Sequence, residues 1–444
     1  MKTSSLFGGA AGLFDPAAFS EDLHPRELRN VFGRCWLFLG LDSTIPKKYD
    51  YFTTYMGEDS VIVQRDSKDR IRVYLNRCPH RGSALCVFDS GSAKAFTCAY
   101  HGWTFTDGEL TGVPYRREAY QNELDLSAHS LYEVPKVKVY GGLVFATWDA
   151  NAKPLEEFLG DAKWYLDTFL IREEMGGLEG VPSPQRYIMP VNWKLLAENF
   201  AGDDYHFEFT HQAVVQAMSR GKDDRLKHRP DKVRSFSVAA NHRSGPPHGF
   251  LELRVSDEPF KIDLAHARAL GADCAEWVEE RQRRLEEKLA VFALKPYSFH
   301  IGNIFPNLAL IGIGSATYAK GLIQHHPRGS NVTEVWVWAA VEKSAPQALK
   351  DRQKFVLMQR QAAAGIVAPD DHEIFQRIAP NLRAEESKRR PLLYNMALKD
   401  DERETSPPEF ASGPRWPGKI LPQFSEVIQR DFYRYWAELM DREI

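Results

Sequence analysis

Cysteine is scarce in this chain, and its placement does not suit a disulfide scaffold. Cys35, Cys78, Cys86, Cys98 and Cys274 are scattered over 444 residues, and an odd, dispersed set in a long chain argues against the cross-linking of small secreted domains. No apolar run approaches eighteen residues, so no membrane-spanning helix is expected. The first sixteen residues carry one lysine and a short Gly/Ala patch, without the charged start and long apolar stretch of a secretory leader, so the expected location is the cytoplasm. Charge of one sign is missing too: 57 basic residues stand against 60 acidic ones, for a formal net charge of −3. That balance, with no long basic run, excludes a nucleic-acid surface. Internal repeats and low-complexity segments are absent.

What is present suits a globular protein of two domains: 43% hydrophobic and 26% charged residues, with ten Trp, seventeen Tyr and 26 Phe for large cores and pockets. Val61–Gln64, Ile71–Leu75, Ala95–Cys98 and Trp103–Thr106 are short aromatic and β-branched runs separated by Gly, Asp and Ser. Asp107-Gly108 is a hairpin turn, and Val137–Trp148 reads as two strands around a glycine pair. After Asn151 the texture changes. Leu155–Leu170, Trp193–His211 (interrupted at Gly202), Ala272–Ala290, Lys350–Ala364 and Phe424–Met440 read as helices. Ile304–Ile311 and Val332–Ala340 read as strands, and Ser406–Pro417 as a Pro-rich loop. Trp277, Leu285 and Leu289 form the expected buried stripe of the third helix. The fold class is α+β: a small all-β domain, residues 36–152, is inserted near the N-terminus of a larger helix-plus-antiparallel-sheet domain made of 1–35 and 153–444.

Two of the cysteines stand beside histidines. Cys78-Pro-His80-Arg-Gly82 is followed by Cys98-Ala-Tyr-His101-Gly102-Trp103, so each loop offers one thiolate and one imidazole. A structural zinc site also takes two Cys and two His, but zinc fingers tend to group like ligands together. Mixed pairs suit a [2Fe-2S] cluster in which two cysteines hold one iron and two histidines the other, which raises the reduction potential. The glycines suit tight turns whose N–H groups approach the sulfur atoms. Cys86, between the halves, reads as a core residue.

The second constellation is Asn192-Trp-Lys-Leu-Leu-Ala-Glu-Asn199-Phe200-Ala-Gly-Asp203-Asp-Tyr-His206-Phe-Glu-Phe-Thr-His211. On a helix Asn199, Asp203 and His206 share a face, and His211 joins them if the helix loosens just after His206. Two His and one carboxylate on one face of an iron leave positions for O2 and substrate, so an acid from elsewhere is required. Alone, two histidines five apart are more often ordinary helix residues. The cluster motif on the same chain reverses that, because a one-electron carrier needs an acceptor.

With these motifs, the order of the domains and the aromatic C-terminal helix, the chain resembles the large (α) subunit of Rieske non-heme iron aromatic ring-hydroxylating dioxygenases over nearly its whole length. The resemblance implies His206 and His211 as iron ligands. The third is Asp371 in Gly365-Ile-Val-Ala-Pro-Asp370-Asp371, where Ala368 replaces a frequent Glu and Asp370 is the neighbouring alternative. It implies Asp203 as a bridge between a cluster histidine of a neighbouring subunit and an iron-binding histidine of its own, carrying electrons from His101 toward His206. Asn199, Phe200 and Gln361 fall at pocket positions, and Ile301–Leu308 resembles pocket wall; a Gln at 361 implies a more polar pocket than hydrocarbon-oxidising members have. The implied cofactors are one [2Fe-2S] Rieske cluster and one mononuclear Fe(II).

The implied partners are a ferredoxin and/or NAD(P)H-dependent reductase, an aromatic substrate and O2. The absence of a glycine-rich nucleotide loop fits a separate reductase. An α3 ring, with or without a small β subunit (α3β3), is the implied assembly, and cis-dihydroxylation of an arene the implied activity. Three other readings remain at this point: a monohydroxylase or demethylase of a polar arene such as salicylate, an electron-transfer protein with no chemistry of its own, and a non-catalytic zinc-binding interaction protein.

Overall fold

Short runs of β-branched and aromatic residues build the smaller unit strand by strand. The computed structural model describes residues 3–8, 12–214, 216, 235–254, 257–292, 299–401 and 414–442, and the chain divides into a unit of residues 32–152 and a unit of residues 1–31 with 153–444. In the first, strands β1 (Leu37–Leu41), β2 (Asp50–Met56), β3 (Asp59–Arg65), β4 (Ile71–Leu75), β5 (Ser90–Ser92), β6 (Ala95–Thr97), β7 (Thr104–Thr106), β8 (Glu109–Gly112), β9 (Lys136–Tyr140) and β10 (Leu143–Thr147) form three antiparallel sheets. Their orders are β4-β3-β2-β5, β8-β7-β6 and β9-β10-β1. The Asp107-Gly108 turn joins β7 to β8 with φ of 50° and 84°, the left-handed pair that a two-residue hairpin demands. Tyr51, Ile62, Tyr74, Phe96, Trp103, Phe105 and Leu110 fill the core, and Cys78, Cys86 and Cys98 sit in it. Cys86 is bound there by Asn76, whose side chain accepts from the Cys86 N–H and donates to its carbonyl.

The second unit is organised around one antiparallel sheet. Its strands are β11 (Leu178–Gly180), β12 (Gln185–Met189), β13 (Ser235–Ala240), β14 (His248–Arg254), β15 (Ile301–Ile304), β16 (Leu308–Ile311), β17 (Lys320–Pro327), β18 (Thr333–Glu342) and β19 (Lys419–Pro422). Among the described residues the order is β11-β18-β17-β16-β15-β14-β13-β19, with β12 also on β18. Helix α1 (Trp193–Gly202) lies across β14 to β17. The approach is so close that a Cβ on Gly249 of β14 would sit 1.9 Å from the Ala201 carbonyl oxygen, so only glycine fits there. Helices α2 (Phe207–Thr210), α3 (Ala272–Leu289), α4 (Gln347–Gln361), α5 (Ala368–Arg383) and α6 (Val427–Met440) complete the parts that matter for the site. Among the described residues no helix is long and apolar enough to cross a membrane.

Three expectations are corrected. The helix expected over Leu155–Leu170 is broken at Gly160, whose φ is 49°; helical segments run Leu155–Leu159 and 162–171. On α3 the buried stripe is Cys274, Val278, Leu285 and Leu289, while Trp277 is half-buried and donates its indole N–H to Ser344 at 3.0 Å. Arg281 can join that stripe because its guanidinium meets Glu342 at 2.9 Å. The third correction concerns the helix expected over Trp193–His211 and belongs to the site itself. Most of the Pro-rich loop expected at Ser406–Pro417 lies outside the described residues.

Candidate metal centres

The two Cys/His loops are built alike. In each, the cysteine N–H bonds the carbonyl five residues on (Cys78 to Ser83 and Cys98 to Trp103, both 2.8 Å), and the glycine N–H returns to the cysteine carbonyl (Gly82 to Cys78 and Gly102 to Cys98, both 2.9 Å). Closing such a turn needs a left-handed residue. Gly82 has φ 79° and Gly102 φ 73°, and at Gly102 a Cβ would also meet the Pro114 ring at 2.8 Å.

Within the turns, N–H groups of His80 and Arg81 point at the Cys78 sulfur and those of Tyr100 and His101 at the Cys98 sulfur. Burial pushes the Cys98 thiol up, but these amides, with Cys78 and Ser83, bring it below the ordinary cysteine value. That environment favours a thiolate.

The pairing of donors tells a cluster from a single ion. The two thiols face each other, and the His80 and His101 rings lie 4.6 Å apart. Yet among the described residues the one group of three or more His, Cys, Asp or Glu whose ligand atoms all lie within 4.8 Å of one another is elsewhere in the chain. A thiol pair and an imidazole pair, with each loop giving one of each, suit two irons, the cysteines on one and the histidines on the other. Nδ1 of His80 is buried and has no hydrogen-bond partner, while the ring stacks on Trp103 at 4.8 Å and 5°. A buried, oriented and unpartnered imidazole nitrogen is what a metal ligand provides.

That other group is His206, His211 and Asp371. Helix α1 starts on the Asn192 side chain, which accepts the Lys194 N–H at 3.0 Å. It ends at Gly202, where the interruption was expected, so the loosening that the shared face required after His206 comes before Asp203 instead. Asp203 is the cause: its carboxylate accepts the N–H groups of Tyr205 (3.1 Å) and His206 (3.2 Å), which a continuing helix would give to its own carbonyls. Asn199, Asp203 and His206 therefore do not share a helical face. The chain turns at Asp203 and restarts as α2, which delivers His211 at its C-terminal end.

The third member of the group arrives from the first turn of α5. Asp371 Oδ1 lies 3.3 Å from His206 Nε2 and 3.2 Å from His211 Nε2. Acids also stand beside the opposite nitrogens: His211 Nδ1 is hydrogen-bonded to Asp370 at 3.2 Å, while His206 Nδ1 has Asp203 at 3.4 Å without a hydrogen bond. Asp371 thus faces both Nε2 atoms, while Asp370 orients one imidazole. Burial works against a charged His206, but Asp203 and Asp371 outweigh it and raise the imidazole to about 10. Burial likewise opposes ionisation of Asp371, and His206 and His211 overcome it, bringing the carboxyl to about 2. Two imidazoles and one carboxylate at this separation fit a divalent iron with open positions.

A cavity of about 230 Å³ adjoins this group, with Asn199, Asp203, His206 and Asp371 in its wall. Phe200 and Gln361 are not in that wall. Phe200 is half-buried with its ring 6.2 Å from that of His325, and Gln361 is buried in the last turn of α4. Asp370 as an orienting acid and Glu198, which also lines the cavity, carried no sequence signal of their role; Trp103 did, standing next to Gly102 in its motif.

Comparison with known proteins identifies both domains. Residues 35–138 match the Rieske [2Fe-2S] domain, and residues 155–442 match the catalytic domain of the ring-hydroxylating α subunit. The chain is 33% identical to the α subunit of biphenyl 2,3-dioxygenase from Rhodococcus jostii (strain RHA1), covering 98% of this chain and 91% of that one. It is 34% identical to the α subunit of benzene 1,2-dioxygenase from Pseudomonas putida, covering 98% and 93%. The solved structure of naphthalene 1,2-dioxygenase with indole in its active site superimposes with a TM-score of 0.85 at 29% identity, covering 100% of this chain and 95% of that one. Such subunits work with a ferredoxin or reductase, and often with a β subunit. The chain belongs to the α subunits of the Rieske ring-hydroxylating dioxygenases, terminal oxygenases that use a [2Fe-2S] cluster and a mononuclear iron to dihydroxylate an aromatic ring.

Proposed function

We propose that this chain cis-dihydroxylates a one- or two-ring arene, with residues 32–152 as its electron-receiving domain and the rest as its oxygenase domain. Cys78, Cys98, His80 and His101 would hold the cluster, and His206, His211 and Asp371 the iron. When bound, the cluster supplies electrons singly and the iron supplies oxygen-activating chemistry. The chain's own side chains do the rest. Asp203 and Asp370 fix the tautomer and tilt of the two imidazoles through their Nδ1 atoms. Asn199 lines the substrate pocket, and the packed wall around it keeps water from the reacting ring. The observation that carries this reading is the convergence of His206 Nε2, His211 Nε2 and Asp371 Oδ1.

Assembly as a ring of α subunits belongs to the same proposal, with a reductase and ferredoxin as donors and a β subunit as a possible addition. The Asp203 carboxylate is 37% exposed, beside the exposed aromatics Tyr205, Phe209 and Phe424, whose rings lie 5.7–6.1 Å apart. On the smaller unit, Tyr100 is 58% exposed with its ring 3.7 Å from that of the half-buried His101. An acid ringed by aromatics and an imidazole edged by one are complementary surfaces for a neighbour-to-neighbour relay. The test is conversion of benzene, naphthalene, biphenyl and salicylate under labelled O2, with a reductase and ferredoxin supplied. A dihydrodiol carrying both labelled oxygens is expected from a hydrocarbon. A product with one labelled oxygen, formed only from salicylate, would move the chain to the monohydroxylases.

A further inference from the structure

The cavity beside His206 and Asp371 leads to a second acid that ligand geometry does not account for. Glu198, near the end of α1, lines it together with Tyr394, Glu426 and Gln429. The Tyr394 hydroxyl donates to both carboxyl oxygens of Glu198, at 3.0 and 3.1 Å, and the Tyr433 hydroxyl lies beside them. Glu426 stands at the N-terminus of α6, half-buried, and accepts the Met396 N–H at 2.7 Å. Two carboxyl groups thus share a wall with the candidate iron site, and a space of about 230 Å³ holds several waters at roughly 30 Å³ each.

We propose that Glu198 is the proton donor of this cavity and that Glu426 reloads it from solvent. The proposal rests on the reading of His206, His211 and Asp371 as the iron site. Dihydroxylation consumes an arene, O2, two electrons and two protons to give one cis-diol. The reductase chain supplies the electrons; the protons must cross protein, because the chemistry needs a site shielded from bulk water. In each delivery the Glu198 O–H bond breaks, its proton passes through cavity water to the oxygen being reduced, and the carboxylate left behind takes a proton relayed from Glu426.

The surroundings of Glu198, which faces the cavity half-buried, favour its protonated form. Burial is the largest influence and raises it; Tyr433 and Tyr394 pull down, Asp203 and Glu426 push up, and the result is about 8. Lys194, one turn earlier on α1, also faces it but is engaged by Glu27. Arg430 of α6 is turned to the carbonyls of Tyr394 and Met396. Burial also raises Glu426, with Asp203 adding to it. His206 and Asp371 complete the ionisable wall of the cavity.

The experiment follows the carboxyl itself and turnover on the same holoenzyme. Infrared difference spectra over a pH titration are expected to show a protonated carboxyl band that is lost on the alkaline side and is missing in Glu198→Gln. That variant is expected to retain three irons per chain and a reducible cluster, to lose at least tenfold in product per electron consumed, and to lose the alkaline limb of its pH profile. Glu198→Asp should recover part of the coupling. Tyr394→Phe, which removes the donor to the carboxylate, should move the wild-type band's midpoint upward. Wild-type coupling and an unchanged pH profile in Glu198→Gln, or no titrating band in the wild type, would overturn the proposal. Two irons per wild-type chain would instead overturn the iron reading, while the infrared titration still decides whether Glu198 holds a proton.

Discussion

Fourteen histidines run through the chain, and burial alone does not separate ligands from struts. His248 is fully buried, but Nε2 is 3.0 Å from the Phe158 carbonyl and Nδ1 accepts the Phe305 N–H at 3.1 Å. Both nitrogens are spent on backbone, and desolvation lowers the imidazole to about 4, so it packs as a neutral ring. His206 and His211 differ in having carboxylates on both sides. Asp370 holds His211 without facing the other imidazole, so Asp370→Asn is expected to leave the iron site formed but to weaken iron affinity roughly 10- to 100-fold. Metal titration of the stripped protein followed by iron analysis measures this; complete loss of mononuclear iron would mean that Asp370 is itself a ligand. The sequence could nominate His206 and His211, because spacing and the cluster motif point to them. It could not assign separate duties to two adjacent acids, since which of Asp370 and Asp371 faces inward depends on how the first turn of α5 is rotated.

At the scale of elements, β3, β4, β6, β7, β9 and β10 were legible because they are β-branched and aromatic runs bounded by turn residues, whereas β1, β2 and β5 were not picked out. The break at Gly202 was legible too, but its cause was not: the Asp203 carboxylate competes with the helix carbonyls for two N–H groups, and that turns His206 off the face it was expected to share with Asn199. The anchoring of α1 was equally hidden, because it depends on a residue 167 positions away. Glu27 pairs with Lys194 and accepts the indole N–H groups of Trp193 at 3.1 Å and Trp436 at 2.9 Å, all buried. One acid thereby ties the N-terminal segment, α1 and α6. Removing one member strands a buried charge, so Lys194→Met is expected to destabilise by about 3–5 kcal/mol. Glu27→Gln keeps an acceptor for the indoles, and the double variant Glu27→Gln with Lys194→Met should therefore melt above Lys194→Met alone. Thermal unfolding of the three variants measures the order, and simple additivity of the two losses would contradict it.

At the scale of the whole molecule, the proposed relay between neighbours makes a demand that no single chain can meet. Cys98→Ser removes a cluster ligand but leaves the iron site, and Asp371→Ala does the reverse. If electrons cross from the cluster of one subunit to the iron of the next, each variant alone is inactive, while rings assembled from both contain junctions with an intact donor beside an intact acceptor. Random assortment in a closed ring puts such a junction at about one interface in four, so co-expressed equal amounts should recover about a quarter of wild-type turnover. Adding Asp203→Ala to the Asp371→Ala chain should leave that recovery unchanged, because its acceptor is already dead. Adding it to the Cys98→Ser chain should abolish it, because that chain supplies the working iron site and its exposed bridging carboxylate. Activity that stays at background in mixed rings, with cluster and iron contents verified in each, would show that electrons remain within one chain and would remove the reason for a ring.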